Sequence, residues 1–318
     1  MSTNTVLIIG GTGKVGRQLT RHLAATNIPT FQSSRSGAAT TEPNAANVKP
    51  IAFDWNDEST WEAALSSGAT SIFLVGPPVL DMLPPVQSFV DRARKGSAKR
   101  FILLSGSPWA ADINGPSTGR VHAYLKQLGD QGEIEWAALR PTWFQREYLW
   151  WLCRSSIERR VADVHPENLF EYENHRLSIV NESTIYSATG TGKIPWITTE
   201  DVAACALQLL TQPDAPNDEY LLFGPELLSY DDIADILTDV TGRKIVHKNL
   251  SAKELADRFE NAGMPRGYAE LMGAMDTDIK NGSENRNNSV VLALTGRQPR
   301  SFRDVAEEVK NAWATTEA

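Results

Sequence analysis

Near its N-terminus the chain carries a short apolar run that leads directly into a glycine-rich turn. Residues 6–16 read V-L-I-I-G-G-T-G-K-V-G, and the glycines fit both G-x-G-x-x-G and G-x-x-G-x-x-G. Val15, Leu19 and Leu23 then follow at helical spacing. A strand, a glycine turn and a helix in this order can hold a diphosphate, because glycines let backbone N–H groups approach it and the helix N-terminus faces its charge. The unit predicts a doubly wound α/β fold and a dinucleotide ligand.

The turn and the second strand together predict which dinucleotide is bound. The predicted cofactor contacts in the turn are Gly10, Gly11, Thr12, Gly13, Lys14, Val15 and Gly16. About 20 residues further on, where an NAD site carries an acidic residue, the segment 29–36 has hydroxyls and a guanidinium instead, among them Ser34 and Arg35. An arginine can bind a 2′-phosphate with two hydrogen bonds, so we expect NADP(H). The alternative is that Arg35 and Lys14 are solvated surface charges.

Composition excludes several classes of partner. The chain has 318 residues, a formal net charge of −8 and a sequence pI of about 5.3. This acidic balance disfavours duplex nucleic acid and anionic membranes. The sequence shows no apolar run that would cross a bilayer and no targeting segment, and its two cysteines suit a reducing compartment. We therefore expect a cytoplasmic protein. The five histidines are scattered and the acids show no ligand spacing, so no metal site is predicted.

Short apolar strands alternate with amphipathic helices through the first 140 residues, which predicts a Rossmann-type parallel sheet with helices on both faces. Ligands of such sheets lie beyond the carboxyl ends of the strands. Further predicted cofactor contacts at these ends are Asp54, Gly76, Pro77, Ser105 and Pro141. We place the NADP-binding domain at 1–155, with 184–224 contributing to it. The ranges 156–183 and 225–318 are expected to form a smaller, mainly helical domain that caps the substrate.

Four stretches resemble a known family. They are 10–16, 101–105 with the helix after it, L-R-P-T-W-F at 139–144, and 185–195 followed by the helix that opens T-E-D-V-A at 199–203. In these stretches the chain resembles the NmrA-like branch of atypical short-chain dehydrogenases, and within it the fungal ergot-alkaloid reductases of the festuclavine and agroclavine dehydrogenase type. The resemblance implies an extended Rossmann fold, NADPH as cofactor, and reduction of an imine or iminium in alkaloid biosynthesis.

The proton donor of ordinary short-chain dehydrogenases is missing. Those enzymes use Tyr-x-x-x-Lys, whereas this chain has Tyr124-Leu125-Lys126, and a spacing of two residues turns the side chains about 200° apart on a helix. An iminium substrate needs no acid, because hydride addition to it yields a neutral amine. If acid help is required, His122 and Tyr124 are the candidate catalytic residues. The alternative is that His122 is a helix-surface residue.

Tryptophans near the predicted strand ends suggest an aromatic, polycyclic small-molecule substrate. The chain has nine tryptophans, and the candidates for substrate contact are Trp109, Trp143, Trp151 and Trp196. Flat aromatic faces can sandwich such a substrate and stabilise a cationic one. The alternative is that each of them is a packing residue.

Other functions of the same fold remain open. The chain can be an NmrA-like sensor that binds NADP(H) without catalysis, a quinone or enone reductase, or an isomerase or cyclase that uses the cofactor transiently. Turnover of NADPH with cyclic imines and quinones separates an enzyme from a sensor.

Overall fold

The structure is a computed structural model that describes residues 4–38, 45–79, 81–115, 117–145 and 175–310. The predicted substrate contact Trp151 lies outside these ranges. The chain divides into two compact units. Unit 1 comprises the described residues of Met1–Pro141, Thr199–Leu222 and Ser289–Gln298, and unit 2 those of Thr142–Thr198, Phe223–Asn288 and Pro299–Ala318. Residues 142–145, 184–198 and 223–224, which we placed with the sheet domain, thus lie in unit 2, and residues 289–298, which we placed in the capping domain, lie in unit 1.

The strands and helices are numbered in chain order. The strands are β1 Val6–Ile8, β2 Thr30–Ser34, β3 Val48–Ala52, β4 Ser71–Leu74, β5 Arg100–Leu104, β6 Glu135–Pro141, β7 Thr184–Ser187, β8 Asp218–Leu222 and β9 Val246–Asn249. The helices are α1 Lys14–Ala24, α2 Trp61–Leu65, α3 Leu83–Ala93, α4 Thr118–Asp130, α5 Arg176–Glu182, α6 Thr199–Thr211, α7 Tyr230–Thr241, α8 Ala252–Asn261, α9 Arg266–Lys280, α10 Val290–Thr295 and α11 Phe302–Glu308.

Unit 1 contains a seven-stranded parallel sheet in the order β3-β2-β1-β4-β5-β6-β8. The interior strand β1 is fully buried and pairs on one side with β2 and on the other with β4, so Leu7 lies between Phe31 and Ile72. Burial on both faces explains why this strand is apolar without alternation. The predicted Rossmann-type doubly wound sheet is confirmed. Strand order reverses at β1, and ligands of such sheets lie beyond the carboxyl ends of the strands at this point.

An aromatic core supports the outer strands of the sheet. Phe53, Trp55, Trp61 and Phe89 contact one another with ring centroids 4.9 to 6.0 Å apart, mostly edge to face. Such pairs add about 0.5–1.5 kcal/mol each beyond the area that they bury. The cluster fixes the segment after β3, which carries the predicted cofactor residue Asp54, onto α2 and α3.

Unit 2 has a small parallel sheet of its own, in which β7 pairs with β9 and Ile185 lies beside His247. Its helices are α5, α7, α8, α9 and α11, and its core includes Ile185, Trp196 and Phe302. The helices α7 and α8 begin with capping boxes, Ser229 with Asp232 and Ser251 with Glu254. These N-terminal signals agree with the helical character predicted here, whereas β7 was not predicted as a strand.

The described residues lack two kinds of feature. None of their helices combines the length and the apolar character needed to cross a membrane. No group of three or more His, Cys, Asp or Glu residues in the described ranges is arranged to hold a metal ion.

Candidate functional site

The glycine turn between β1 and α1 has a geometry that only glycine permits. Gly10 has a φ of +77°, and its N–H donates to the Ser33 hydroxyl at 3.1 Å. A Cβ at Gly16 would lie 2.2 Å from the carbonyl oxygen of Gly10, and one at Gly11 would lie 2.6 Å from the Gln32 side chain. The turn therefore packs against both its own helix and β2, and no larger residue fits at these positions.

The N-terminus of α1 is shaped to receive an anion. Gly13 is its N-cap residue, so no side chain caps the helix, and the first turn contains no acidic residue. The first N–H groups of a helix need acceptors, and the helix dipole favours negative charge there. Thr12 and Lys14 flank this cap and are half-buried. The seven predicted contacts from Gly10 to Gly16 thus form one cradle, and the residues present fit the diphosphate of a dinucleotide.

The end of β2 lies beside the glycine turn. The Gln32 side-chain amide donates to the Gly11 carbonyl at 2.9 Å and to the Thr20 hydroxyl at 3.1 Å, which ties β2 to the turn. Just after it, the Ser34 hydroxyl donates to the Ala38 carbonyl at 3.3 Å, and Arg35 is exposed. The exposed guanidinium is accessible to a 2′-phosphate, and its role remains a prediction.

The segments after β3 and β4 form the next part of the carboxyl edge. Asp54 is half-buried and its carboxylate accepts from the Asn56 backbone at 2.9 Å. The Trp55 indole donates to the Val75 carbonyl at 3.0 Å and thereby joins the ends of the two strands, a contact that the sequence did not reveal. Gly76 lies under Met82, whose sulfur would be 2.9 Å from an added Cβ, and the next residue, Pro77, is buried.

The segment after β5 remains hydrogen-bonded to β6 beyond the end of the strand. The Ser105 N–H donates to the Leu139 carbonyl at 2.8 Å, and the Ser107 N–H donates to the Pro141 carbonyl at 2.8 Å. The Ser105 hydroxyl lies 2.8 Å from the Thr118 hydroxyl at the start of α4. The predicted contacts Ser105 and Pro141 are therefore neighbours at one edge of unit 1.

The structure places His122 inside unit 1 and not on the helix surface, so the surface alternative is wrong. Its exposed fraction is 1%, and its ring packs 5.3 Å from that of Trp136. Its Nε2 lies 3.7 Å from the Glu219 carboxylate. Burial lowers the pKa of His122, against an opposing effect of Glu219. Burial thus favours the neutral form of the imidazole, which weakens His122 as a candidate proton donor.

Tyr124 has its hydroxyl committed elsewhere. The phenol donates to the Asp91 carboxylate on α3 at 2.8 Å. Burial, followed by this hydrogen bond, raises the pKa of Tyr124 well above its usual value. The phenol keeps its proton and donates it in the hydrogen bond to Asp91, and this placement gives no support to the predicted acid role of Tyr124.

The tryptophans predicted to contact substrate fall into different settings. Trp109 is half-buried in unit 1 and covers Gly106, where an added Cβ would lie 2.8 Å from the ring. Trp143 is half-buried in unit 2. Trp196 is only 2% exposed, contacts Tyr230 edge-on, and donates its indole N–H to the backbone of unit 2. Trp196 is therefore a core residue, and its predicted contact with substrate has no support here.

Unit 2 also contains a Ser–His–Asp chain of hydrogen bonds. The Ser187 hydroxyl lies 2.8 Å from His247 Nε2, and His247 Nδ1 lies 3.0 Å from the Asp231 carboxylate. Such a chain activates a nucleophile only where substrate can reach the hydroxyl. Ser187 is 1% exposed and shares its hydroxyl with Thr189, so the chain fastens β7 to β9 and carries no catalysis.

Comparisons with known proteins support a dinucleotide-binding role for the cradle. A family described as NAD(P)H-binding matches residues 10–148. Festuclavine synthase II of Penicillium roqueforti is 39% identical over 98% of this chain and 100% of its own length, and agroclavine dehydrogenase of Claviceps fusiformis is 36% identical over 97% and 98%. Citrobacter triphenylmethane reductase, solved as a complex with NADP(H), shares the fold with a TM-score of 0.71, at 19% identity over 96% of this chain and 99% of that one.

The similarity to the two alkaloid enzymes extends over nearly the whole length of this chain and of theirs, and the family match includes the glycine cradle. The predicted class of cofactor, a nicotinamide dinucleotide, is confirmed by the family match. The chain belongs to the NAD(P)H-dependent oxidoreductases, in the family that includes the festuclavine synthases and agroclavine dehydrogenases.

Proposed function

We propose that this protein reduces the C=N bond of a cationic, polycyclic specialised metabolite, with NADPH as the reductant. The relatives named festuclavine synthase and agroclavine dehydrogenase support an alkaloid-like substrate. The chain's own residues support the choice of C=N over C=O.

The proposal depends most on the hydrogen bonds of Tyr124 and Lys126, the two residues on α4 that resemble the usual Tyr–Lys pair. Tyr124 donates to Asp91, and Lys126 donates to Asp130 at 2.6 Å, so each is paired with its own carboxylate. A carbonyl acceptor needs a proton at the oxygen as it is reduced, whereas a cationic iminium becomes a neutral amine without one. A site that lacks this pair suits the iminium.

The cofactor-binding residues divide according to the strand order. The cradle at 10–16 would hold the diphosphate, and Ser34 with Arg35 on the β2 side would hold the 2′-phosphate. On the other side of β1, Gly76 and Ser105 follow β4 and β5 and would flank the nicotinamide. Bound there, the cofactor supplies a hydride from C4 of its nicotinamide ring. The protein contributes orientation, which can account for much of the catalysis.

Apolar side chains near the same end of unit 1 support an aromatic substrate. Val79 follows β4 and is 43% exposed, and Ile113 follows β5 and is 50% exposed. The half-buried Trp109 belongs to the same β5–α4 loop as Ile113. Sites for aromatic ligands are lined mainly by apolar and aromatic side chains, and these loops supply such side chains. A cationic ring system gains further from an indole face.

The test is NADPH consumption with a panel of cyclic iminium ions, matched ketones and quinones. We expect turnover with the iminium ions and little with the ketones, because only the ketones require an acid. Preferred turnover of a ketone or a quinone would contradict the choice of C=N. Tight NADPH binding without turnover of any acceptor would instead favour a non-catalytic sensor.

A further inference from the structure

Unit 1 contains two buried arginines with closely similar surroundings at opposite ends of its sheet. Arg100 and Arg140 have side chains that are 8% and 7% exposed, and each pairs with one half-exposed glutamate, Glu135 at 2.6 Å and Glu219 at 2.7 Å. Both also donate to backbone carbonyls. Buried arginines are costly to desolvate unless all of their donors are satisfied, so each fixes the backbone that it contacts.

Arg100 fixes the backbone around the amino end of β5. Its guanidinium donates to the carbonyls of Leu209, Gln212 and Asp214 at 3.1, 2.6 and 3.1 Å. These groups form the C-terminus of α6 and the turn after it, whose carbonyls have no partners within the helix. Arg100 therefore has a structural role, far along β5 from the carboxyl end where the cofactor is expected.

Arg140 fixes the backbone around the carboxyl end of β6. Its guanidinium donates to the Ser107 carbonyl at 2.7 Å and more weakly to the Gly106 carbonyl at 3.4 Å. The peptide group that joins Gly106 to Ser107 is hydrogen-bonded through both of its polar atoms, because the Ser107 N–H also donates to the Pro141 carbonyl at 2.8 Å. The Gly106 carbonyl also accepts from the Trp109 N–H at 3.1 Å.

We propose that Arg140 is a positioning residue for the reduction. Its guanidinium fixes the loop 105–109, and through it Ser105 and the Trp109 ring, at the edge where the nicotinamide half of the cofactor and the substrate meet. The inference rests on the proposed reductase function. A displacement of about 1 Å in such a loop can cost about a hundredfold in rate, even when the residue that moved it touches no reactant.

The experiment compares Arg140→Lys with Arg100→Lys as its matched control. Lysine keeps the charge but lacks the planar fork of donors, so that it cannot serve the glutamate and the carbonyls together. Three quantities are measured for each purified variant: amide hydrogen exchange of the 105–115 segment without cofactor, the Kd for NADPH, and kcat with the best iminium of the panel.

For Arg140→Lys we expect exchange in the 105–115 segment to be faster by about tenfold and kcat to fall by about ten- to a hundredfold. The Kd for NADPH should change by less than about threefold, because the diphosphate cradle lies elsewhere. For Arg100→Lys we expect faster exchange only near 209–214 and an unchanged kcat. Glu219→Gln, which keeps the hydrogen-bonding shape, should shift exchange and kcat in the same direction but less, and it serves if Arg140→Lys does not fold.

Equal effects of the two lysine variants on kcat would overturn the positioning role, and so would an unchanged kcat together with faster exchange in the loop. If the wild-type protein turns over none of the acceptors, the proposed function fails. Exchange in the 105–115 segment still reports, in that case, whether Arg140 holds the loop, so the two failures are distinguishable.

Discussion

Replacing Gly16 by alanine tests the cradle at its tightest point. The added Cβ would lie 2.2 Å from the Gly10 carbonyl oxygen and 2.8 Å from the Gly11 Cα. These distances are about 1 Å shorter than an ordinary contact between such atoms, so the turn must move away from the helix by a comparable amount. Both neighbours are backbone atoms and cannot rotate aside.

The expected loss follows from the hydrogen bonds that the displacement breaks. A hydrogen bond to a charged group contributes about 1.5–3 kcal/mol, and a shift of this size removes at least one bond between the turn and the diphosphate. The Kd for NADPH should therefore rise by about ten- to a hundredfold, since each 1.4 kcal/mol is about tenfold. Isothermal titration calorimetry of the folded variant measures this directly.

Two further glycine variants make the experiment a graded series. A Cβ at Gly13 would lie 3.1 Å from the Gly10 carbonyl oxygen, so Gly13→Ala should weaken binding less than Gly16→Ala does. A Cβ added at Gly267 would meet nothing within 4 Å, so Gly267→Ala should leave the Kd unchanged. Unchanged NADPH affinity in a folded Gly16→Ala variant would refute the assignment of the turn as the diphosphate site.

Three other substitutions test separate parts of the site and fold. Arg35→Asp should weaken NADPH binding by about tenfold or more and affect NADH binding little, because only NADPH has the 2′-phosphate that the arginine would contact. Parallel titrations with both cofactors measure the two Kd values, and an equal rise in both would contradict this role. Tyr124→Phe should leave kcat unchanged and lower the unfolding free energy, measured by urea unfolding, by about 1 kcal/mol, because the hydrogen bond to Asp91 is lost. A large fall in kcat would instead support Tyr124 as the proton donor. Burial raises the pKa of Asp276 to about 6, with the Ala188 N–H opposing. Because the folded state then binds this proton more tightly than the unfolded state, the unfolding free energy should fall by about 3 kcal/mol as pH rises from about 3 to about 7. Asp276→Asn should remove that slope, and the same slope in the variant would refute the assignment.

The sheet and the cradle were predictable from the sequence because their signals are local. The apolar run of β1, the glycine spacing and the helix that follows lie within about 20 residues, and each reflects a steric or burial constraint on its own neighbours. Arg140 was not predicted as a site residue, although it stands inside the L-R-P-T-W-F stretch that resembles the family. Its partners are the carbonyls of Gly106 and Ser107, and only the pairing of β5 with β6 brings them within reach.

Side-chain direction and burial explain where the predictions from the sequence differ from the structure. His122 lies on a helix whose neighbours Val121 and Leu125 are also buried, so the pattern did not settle whether position 122 faces solvent. Trp196 follows a loop-like stretch of glycines, yet unit 2 folds around it. The four-residue strand β7 is too short for its alternation to be distinguished from a loop, and its pairing with β9 spans about 60 residues of sequence.

The reductase proposal is tested most directly by following the hydrogen that is transferred. The wild-type protein is incubated with NADPH deuterated at one face of nicotinamide C4 and with the cyclic iminium that it consumes fastest, and the amine product is examined by mass spectrometry and NMR. We predict one deuterium on the former C=N carbon, from one of the two labelled faces only. A product without deuterium from either face, or bound NADPH that no iminium ever oxidises, would contradict direct hydride transfer by this protein.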